Sequence, residues 1–357
     1  MTSTGLRRVT VIGCGAAGTS IGLALTRAGV DVTLEDQDRD ALDRACRAGA
    51  GRELTRAAPA ADLVVIATGP DTVVDVLYTA QVRGLGRAYT DVAGTKGLIC
   101  AEAEMRGCDL MGFVPGHPLA GEWWGAGPGG PRADLFDGRP WILCPYPTGR
   151  PEALEAAGAL VTLCGGRRRE MTPEEHDGAV TALAHVPRLV CSVLAARLTG
   201  LDGLADEALG LAGAGLRDAV RLAGGGRGGW GDVFAHDPEA VADGVDRIAG
   251  QLSEVARALR NLGGDGAAVL TGILARADTG RAALNTAAPD GGPGAPAAGE
   301  PATGQAAVGQ DAGRNGASPD GATQGLPAQP PSRRTHHVPL RSGRPAGPVP
   351  RIQRFAG

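Results

Sequence analysis

Three things are scarce in this 357-residue sequence, and each scarcity removes a class of function. The seven cysteines, Cys14, Cys46, Cys100, Cys108, Cys144, Cys164 and Cys191, form no C-x-x-C pair and are odd in number. That speaks against a disulfide framework and for packing residues in a reducing compartment. A basic excess is missing as well: the formal charge is −4, and Lys and Arg are scattered except near the C-terminus. Without the positive field that tracks a phosphate backbone, nucleic acid is not an expected partner. Apolar runs are short, none approaching the ~20 residues that cross a bilayer, and Met1 to Arg8 is short and polar before a strand begins. The expectation is a cytoplasmic protein with no membrane contact.

What is present is an alternation. Short β-rich runs at Val9–Ile12, Val30–Leu34, Asp62–Ala67, Ala88–Val92 and Met111–Val114 are separated by amphipathic stretches such as Ala16–Ala28 and Asp38–Ala48. This is the sequence form of an α/β fold with a doubly wound, Rossmann-type parallel sheet. Trp141–Cys144 and Arg167–Met171 read as late strands that close the domain.

After Met171 the strand signals stop. Thr172-Pro173-Glu174-Glu175 has an N-cap threonine, a proline at the first helical position and a glutamate completing a capping box, so a helical domain starts there. Asp237-Pro238-Glu239 repeats the cap-then-proline signal and opens a helix predicted to run to about Leu262. Beyond about Gly280 the composition turns to Ala, Gly, Pro, Gln and Asp, and from Ala287 to Gly325 the only large aliphatic residue is Val308. Such a segment buries too little apolar surface to offset its ordering entropy. Its arginine-bearing end is either a weak interaction tail or a solvated extension. The expected division is therefore a dinucleotide-binding domain over 1–171, a helical domain for substrate and dimerisation over 172–280, and a disordered tail over 281–357.

Directly after the first strand comes Gly13-Cys14-Gly15-Ala16-Ala17-Gly18, a G-x-G-x-x-G that runs into a helix. Gly13 permits the tight turn, Gly15 lets the backbone approach a pyrophosphate, and Gly18 allows close helix–strand packing. The free N–H groups and positive dipole end of that helix suit phosphate. Asp36, 21 residues past Gly15 at the end of the second strand, is placed to accept from the ribose hydroxyls of NAD and to oppose the extra phosphate of NADP. The alternative for Asp36 is a helix cap.

Further segments carry a family likeness. Gly116-His117-Pro118-Leu119-Ala120-Gly121 is followed by Ala133-Asp134-Leu135-Phe136-Asp137-Gly138-Arg139-Pro140-Trp141. Next come Glu175-His176-Asp177 with Ala184-His185-Val186-Pro187-Arg188, and then Gly213-Ala214-Gly215-Leu216-Arg217-Asp218-Ala219-Val220-Arg221 with Trp230 and Asp232. Together, in this order, these resemble the motifs of prephenate and arogenate dehydrogenases over roughly Val9 to Leu262. The resemblance implies NAD-dependent oxidative decarboxylation of a small cyclohexadienyl carboxylate, prephenate first, as in tyrosine or related specialised biosynthesis. It also implies a homodimer joined through the helical domain.

On the same resemblance, His117 is the base or hydrogen-bond acceptor at the C4 hydroxyl, a role that suits a neutral imidazole of ordinary pKa ~6.5. Arg221 would bind a substrate carboxylate through its guanidinium fork, or else be a solvated helix arginine. His185 and Arg188, three apart, share a helix face that can line the same cleft, with Pro187 distorting the helix. His176 lies nine residues before His185, about half a turn out of phase on an ideal helix. No zinc pair is indicated, and His176 with Asp177 is expected to be structural.

One segment departs from the family. Asp91-Val92-Ala93-Gly94-Thr95-Lys96-Gly97 stands where relatives carry D-x-x-S-x-K, so the serine near the catalytic histidine is Gly94, with Thr95 beside it as another source of a hydroxyl. Glu122-Trp123-Trp124-Gly125 replaces a normally polar stretch, and Ala184 and Arg188 replace a Ser and a His. These changes surround the substrate, which leaves arogenate and 4-amino-4-deoxyprephenate as alternatives. A catalytically idle NAD-binding regulatory protein is the alternative of a different class.

Overall fold

Strand β1 (Arg8–Ile12) pairs in parallel with β2 (Asp31–Glu35) on one side and with β4 (Leu63–Ile66) on the other. In this computed structural model, which describes residues 5–119, 130–199, 209–223 and 238–287, β3 (Arg52–Glu53), β5 (Tyr89–Asp91) and β6 (Phe113–Val114) complete a six-stranded parallel sheet. Its order is β3-β2-β1-β4-β5-β6. Helices α1 (Ala16–Arg27), α2 (Arg39–Arg47), α3 (Val73–Val82) and α4 (Gly97–Arg106) follow β1, β2, β4 and β5.

Buried apolar side chains form two clusters, and β4 shows why. Leu63 and Val65 belong to one, Val64 and Ile66 to the other, because alternate residues of a strand point to opposite faces. A strand covered on both faces reads as a continuous apolar run. Each fully buried Leu or Ile stabilises the fold by roughly 1.5–3 kcal/mol relative to exposure. The chain reverses direction of travel between β1 and β4, so the crevice for a ligand opens at the carboxyl ends of these strands.

The late strands do not join this sheet. Instead β7 (Gly116–Pro118) pairs antiparallel with β8 (Pro140–Leu143), and β8 pairs in parallel with β9 (Arg167–Glu170), making a separate three-stranded sheet. Pro115 stands between β6 and β7; it offers no N–H to a continuing ladder, while its carbonyl accepts from Cys144 N at 2.8 Å and starts the new pairing. The buried Trp141 and Leu143 join the first apolar cluster together with residues of α5 (Pro151–Leu163), so both sheets share a core.

The helical segment begins with the predicted capping box. Thr172 Oγ1 accepts from Glu175 N at 3.2 Å, and Glu175 Oε2 accepts from Thr172 N at 2.9 Å. Helix α6 (Pro173–Val180) passes through one π turn, Thr181–His185, into α7 (Val186–Arg197). Val186 N donates five residues back to Thr181 O. Pro187 follows at once, and having no N–H to give to a carbonyl four residues back, it accounts for the widened turn.

Residues Pro173–Arg197 thus form one helix long and apolar enough, by length and composition, to cross a membrane. This corrects the expectation that no such stretch exists. Thr181, His185 and Arg188 interrupt the apolar run without making the segment polar on average.

Helix α8 (Ala214–Arg221) packs on α7, and α9 (Pro238–Arg260) packs on α7 and α10 (Gly266–Ala287). A Cβ on Gly244 would lie 2.5 Å from Val186 Cγ2, so the missing side chain is what lets α9 approach α7. Helix α10 continues past residue 280, where the tail was expected to begin. The rest of the expected tail, and Ala120–Gly125, Trp230 and Asp232, lie outside the described residues.

Candidate active site

The turn after β1 has the form a dinucleotide needs. Gly13 has φ 104°, and a Cβ there would lie 2.4 Å from Ala67 O at the end of β4; one on Gly18 would lie 1.9 Å from Gly13 O. Both positions exclude side chains. At Gly15 a Cβ would meet nothing within 4 Å, which is the open approach a pyrophosphate requires. Gly15 is also the N-cap of α1, and no side chain caps that end, so N–H groups of the first turn, among them those of Ala16 and Ala17, face the same space.

Asp36 closes the lip of this turn: Cys14 N donates to its Oδ2 at 2.5 Å and Asp38 N to its Oδ1 at 2.8 Å. Each oxygen retains a lone pair for a ribose hydroxyl. The cap of α2 is Asp38, whose side chain accepts from Asp40 N and Ala41 N, so Asp36 is not used as that cap. Burial, followed by the Asp36 charge, pushes the Cys14 thiol up to about 12, which leaves it an unreactive packing group.

A second cluster forms where β7 meets α6. His117 Nδ1 lies 2.9 Å from His176 Nε2, and His176 Nδ1 lies 2.7 Å from Asp177 Oδ1. Asp177 also accepts from the backbone, from Lys96 N at 3.0 Å on Oδ1 and from Gly97 N at 2.7 Å on Oδ2. It thereby holds the first turn of α4 against α6. His176 is buried and His117 half-buried. Burial, followed by the neighbouring His176, Lys96 and His185, holds the His117 imidazole well below its ordinary 6.5, with Asp177 opposing. At neutral pH the ring is uncharged.

A third feature lies beneath. Lys96 and Asp91 are fully buried and ion-paired. Lys96 Nζ also donates to Gly116 O at 2.8 Å, while Asp91 Oδ1 accepts from Gly116 N at 3.1 Å and Asp91 Oδ2 from Ala93 N at 2.9 Å. Gly94 and Thr95 sit in the loop so gathered, Gly94 half-buried and Thr95 buried.

Comparison with known proteins decides the family. Residues 21–170 match the model for the nucleotide-binding domain of prephenate dehydrogenase, and residues 172–271 match its dimerization domain. The chain belongs to the prephenate dehydrogenase family. It is an NAD-dependent oxidoreductase.

Among relatives of this family, the probable prephenate dehydrogenase NovF of Streptomyces niveus is 38% identical over 265 residues, covering 73% of this chain and 71% of the relative. The cyclohexadienyl dehydrogenase of Zymomonas mobilis is 26% identical over 268 residues, covering 72% and 90%. A crystal structure of prephenate dehydrogenase from A. aeolicus, in complex with hydroxyphenyl propionate and NAD+, shares the fold with a TM-score of 0.67 at 21% identity. It covers 79% of this chain and all (100%) of that one. Synechocystis arogenate dehydrogenase gives a TM-score of 0.62 at 22% identity, covering 78% and 99%.

Within this family fold the residues singled out from the sequence fall in different places. Gly13 to Gly18 and Asp36 come together at the cofactor turn. His117 and His185 come together at the second site, with Gly94 and Thr95 on the adjoining loop. Arg188 lies one turn beyond His185, half-buried. Arg221 is the last residue of α8 and is exposed. His176 and Asp177, expected to be structural, are hydrogen-bonded in series to His117. Lys96 and Asp91 were noticed only as parts of a motif. The signal available for the last two was a lysine and an aspartate five apart at the carboxyl end of a strand.

Proposed function

We propose that this chain catalyses the oxidative decarboxylation of prephenate to 4-hydroxyphenylpyruvate, with His117 as the base at the C4 hydroxyl. The observation that carries this reading is the series Asp177, His176, His117. A carboxylate only accepts, so His176 Nδ1 carries the hydrogen and Nε2 is the acceptor. His117 Nδ1 then donates to it, and the lone pair of His117 is left on Nε2, free for the substrate proton.

The Gly13–Gly18 turn would hold NAD, which would supply the acceptor for the C4 hydride. The hydroxyl proton passes to His117 Nε2; as the ring carboxylate leaves as carbon dioxide its electron pair makes the ring aromatic, and the proton returns from His117 to the ring oxygen to give the phenol. Arg221 and Arg188 are the candidates for the remaining carboxylate. The name of the 38% identical relative supports prephenate. The match to a dimerization domain, with Leu252, Leu259, Leu274 and Leu284 exposed on α9 and α10, supports a homodimer through the helical segment. The division near residue 171 and a cytoplasmic location belong to the same reading.

A second reading rests on Gly94. Without a serine hydroxyl beside the base, a C4 amine is the other substituent the loop favours, so 4-amino-4-deoxyprephenate is the alternative substrate. Purified protein with NAD and prephenate, arogenate or the C4-amino compound decides between them by NADH formation. Highest kcat/KM with prephenate is expected. Uptake of NAD without NADH from any of the three would make the chain a binding protein and sink the proposal.

A further inference from the structure

The Asp91 and Lys96 pair has no place in the reaction as written, yet it occupies a costly position. Both side chains are at 0% exposure, and burying two charges in a core is commonly no better for stability than an apolar pair of the same size. Its contacts show what it holds. The peptide units on either side of the Gly116 α-carbon are both fixed by it: Asp91 takes the N–H of Gly116 and Lys96 gives to its carbonyl. The next residue is His117. A Cβ on Gly116 would lie 2.9 Å from Asp91 O and 3.1 Å from Thr90 Oγ1, so the strand is pressed onto the end of β5 with no slack.

We propose that Asp91 and Lys96 are positioning residues for the base: the pair fixes the backbone at Gly116 and with it the place of the next residue, His117. The Lys96 ammonium also opposes a proton on the ring. The groups facing His117 are His176 and Asp177 from α6, His185 from the π turn, and Lys96 from the loop before α4. Two carboxylates favour the protonated ring: Asp177, which reaches it through His176, and Asp91, which is ion-paired with Lys96. Lys96 is the fixed cation of the set. The same pair also folds the loop of Gly94 and Thr95, since Asp91 takes Ala93 N at its start and Lys96 lies at its end.

The inference rests on His117 being the base, and the experiment separates the two. In the full-length protein, Asp91→Asn with Lys96→Met keeps the size of the pair and removes both charges. The expected result is a folded protein with wild-type NAD affinity, kcat lowered about 10²-fold, the scale of a small misplacement of a reacting group, and an acid limb of kcat/KM moved to higher pH. Lys96→Gln, which keeps a donor but no charge, is expected to move the limb with a smaller loss of kcat. Wild-type kcat and an unmoved limb in these variants, with His117→Asn inactive, overturn this inference and leave the base in place. An active His117→Asn overturns the base itself.

Discussion

His176 Nε2 lies 2.9 Å from His117 Nδ1 although 59 residues separate them, and the contact joins the strand β7 of the nucleotide-binding part to the first helix of the dimerization part. Neither element alone determines the tautomer of His117. Asp177 does so through His176, and Asp177 is itself held by two backbone N–H groups of α4.

Removing the base and removing its support therefore give different results. His117→Asn is expected to lower kcat by roughly 10²–10⁴-fold while NAD binding is retained. Asp177→Asn allows the amide to donate to His176 and reverse the series, so kcat falls with little change in KM. It also weakens the hold on α4, at about 1 kcal/mol if it resembles the loss of a helix cap. Steady-state kinetics with a melting curve separates the effects. A variant that loses Tm and keeps kcat would mean that His176 and Asp177 only pack.

The sign of the pH effect follows from the lowered His117. The unfolded chain takes up a proton on this residue near its ordinary 6.5, while the folded chain resists it until lower pH. Between those values the unfolded state binds more protons, so stability rises with pH there and is lost as pH falls below 6.5. Melting temperature measured from pH 8 down to 5 is expected to decline below about 6.5, and less steeply in His117→Asn. A flat profile in the wild type contradicts the assignment.

How far the sequence carried these conclusions differs by element. The glycine turn, Asp36 and the Thr172–Glu175 box are local: a few neighbouring residues contain the whole physical reason for them. The separate sheet of β7, β8 and β9 was not legible, because three strand-like residues around His117 have no pattern of their own and pair with distant Trp141, Ile142 and Leu143. That His176 and His185 both reach His117 was not legible either, for a geometric reason. On an ideal helix His176 is half a turn from His185, but the π turn between them takes up an extra residue and brings both toward His117.

Asp36 gives a cofactor prediction. If its carboxylate takes the ribose hydroxyls, as the turn after β1 suggests, it opposes a phosphate there, so kcat/KM for NAD is expected to exceed that for NADP. Asp36→Ser should narrow the gap by removing the repulsion. Kinetics with both cofactors settles this, and a wild type that prefers NADP would leave Asp36 only its contacts to Cys14 and Asp38.

The last prediction concerns Gly94, which lies in a loop clamped at one end by Asp91 and at the other by Asp177. Because both clamps act on backbone or on Lys96, a side chain added at position 94 need not disturb either. Gly94→Ser is therefore expected to fold and to place a hydroxyl near the base. A hydroxyl that hydrogen-bonds the C4 hydroxyl of the substrate contributes about 0.5–1.5 kcal/mol net. That corresponds to roughly two- to tenfold in kcat/KM. The preference for prephenate over the C4-amino compound should rise by that factor in the variant, whichever substrate the wild type uses better. Measuring kcat/KM for both compounds in both proteins gives the ratio directly. If the wild type uses prephenate well and the ratio is unchanged by the serine, Gly94 has no part in reading the C4 substituent, and the case for an amine substrate ends there.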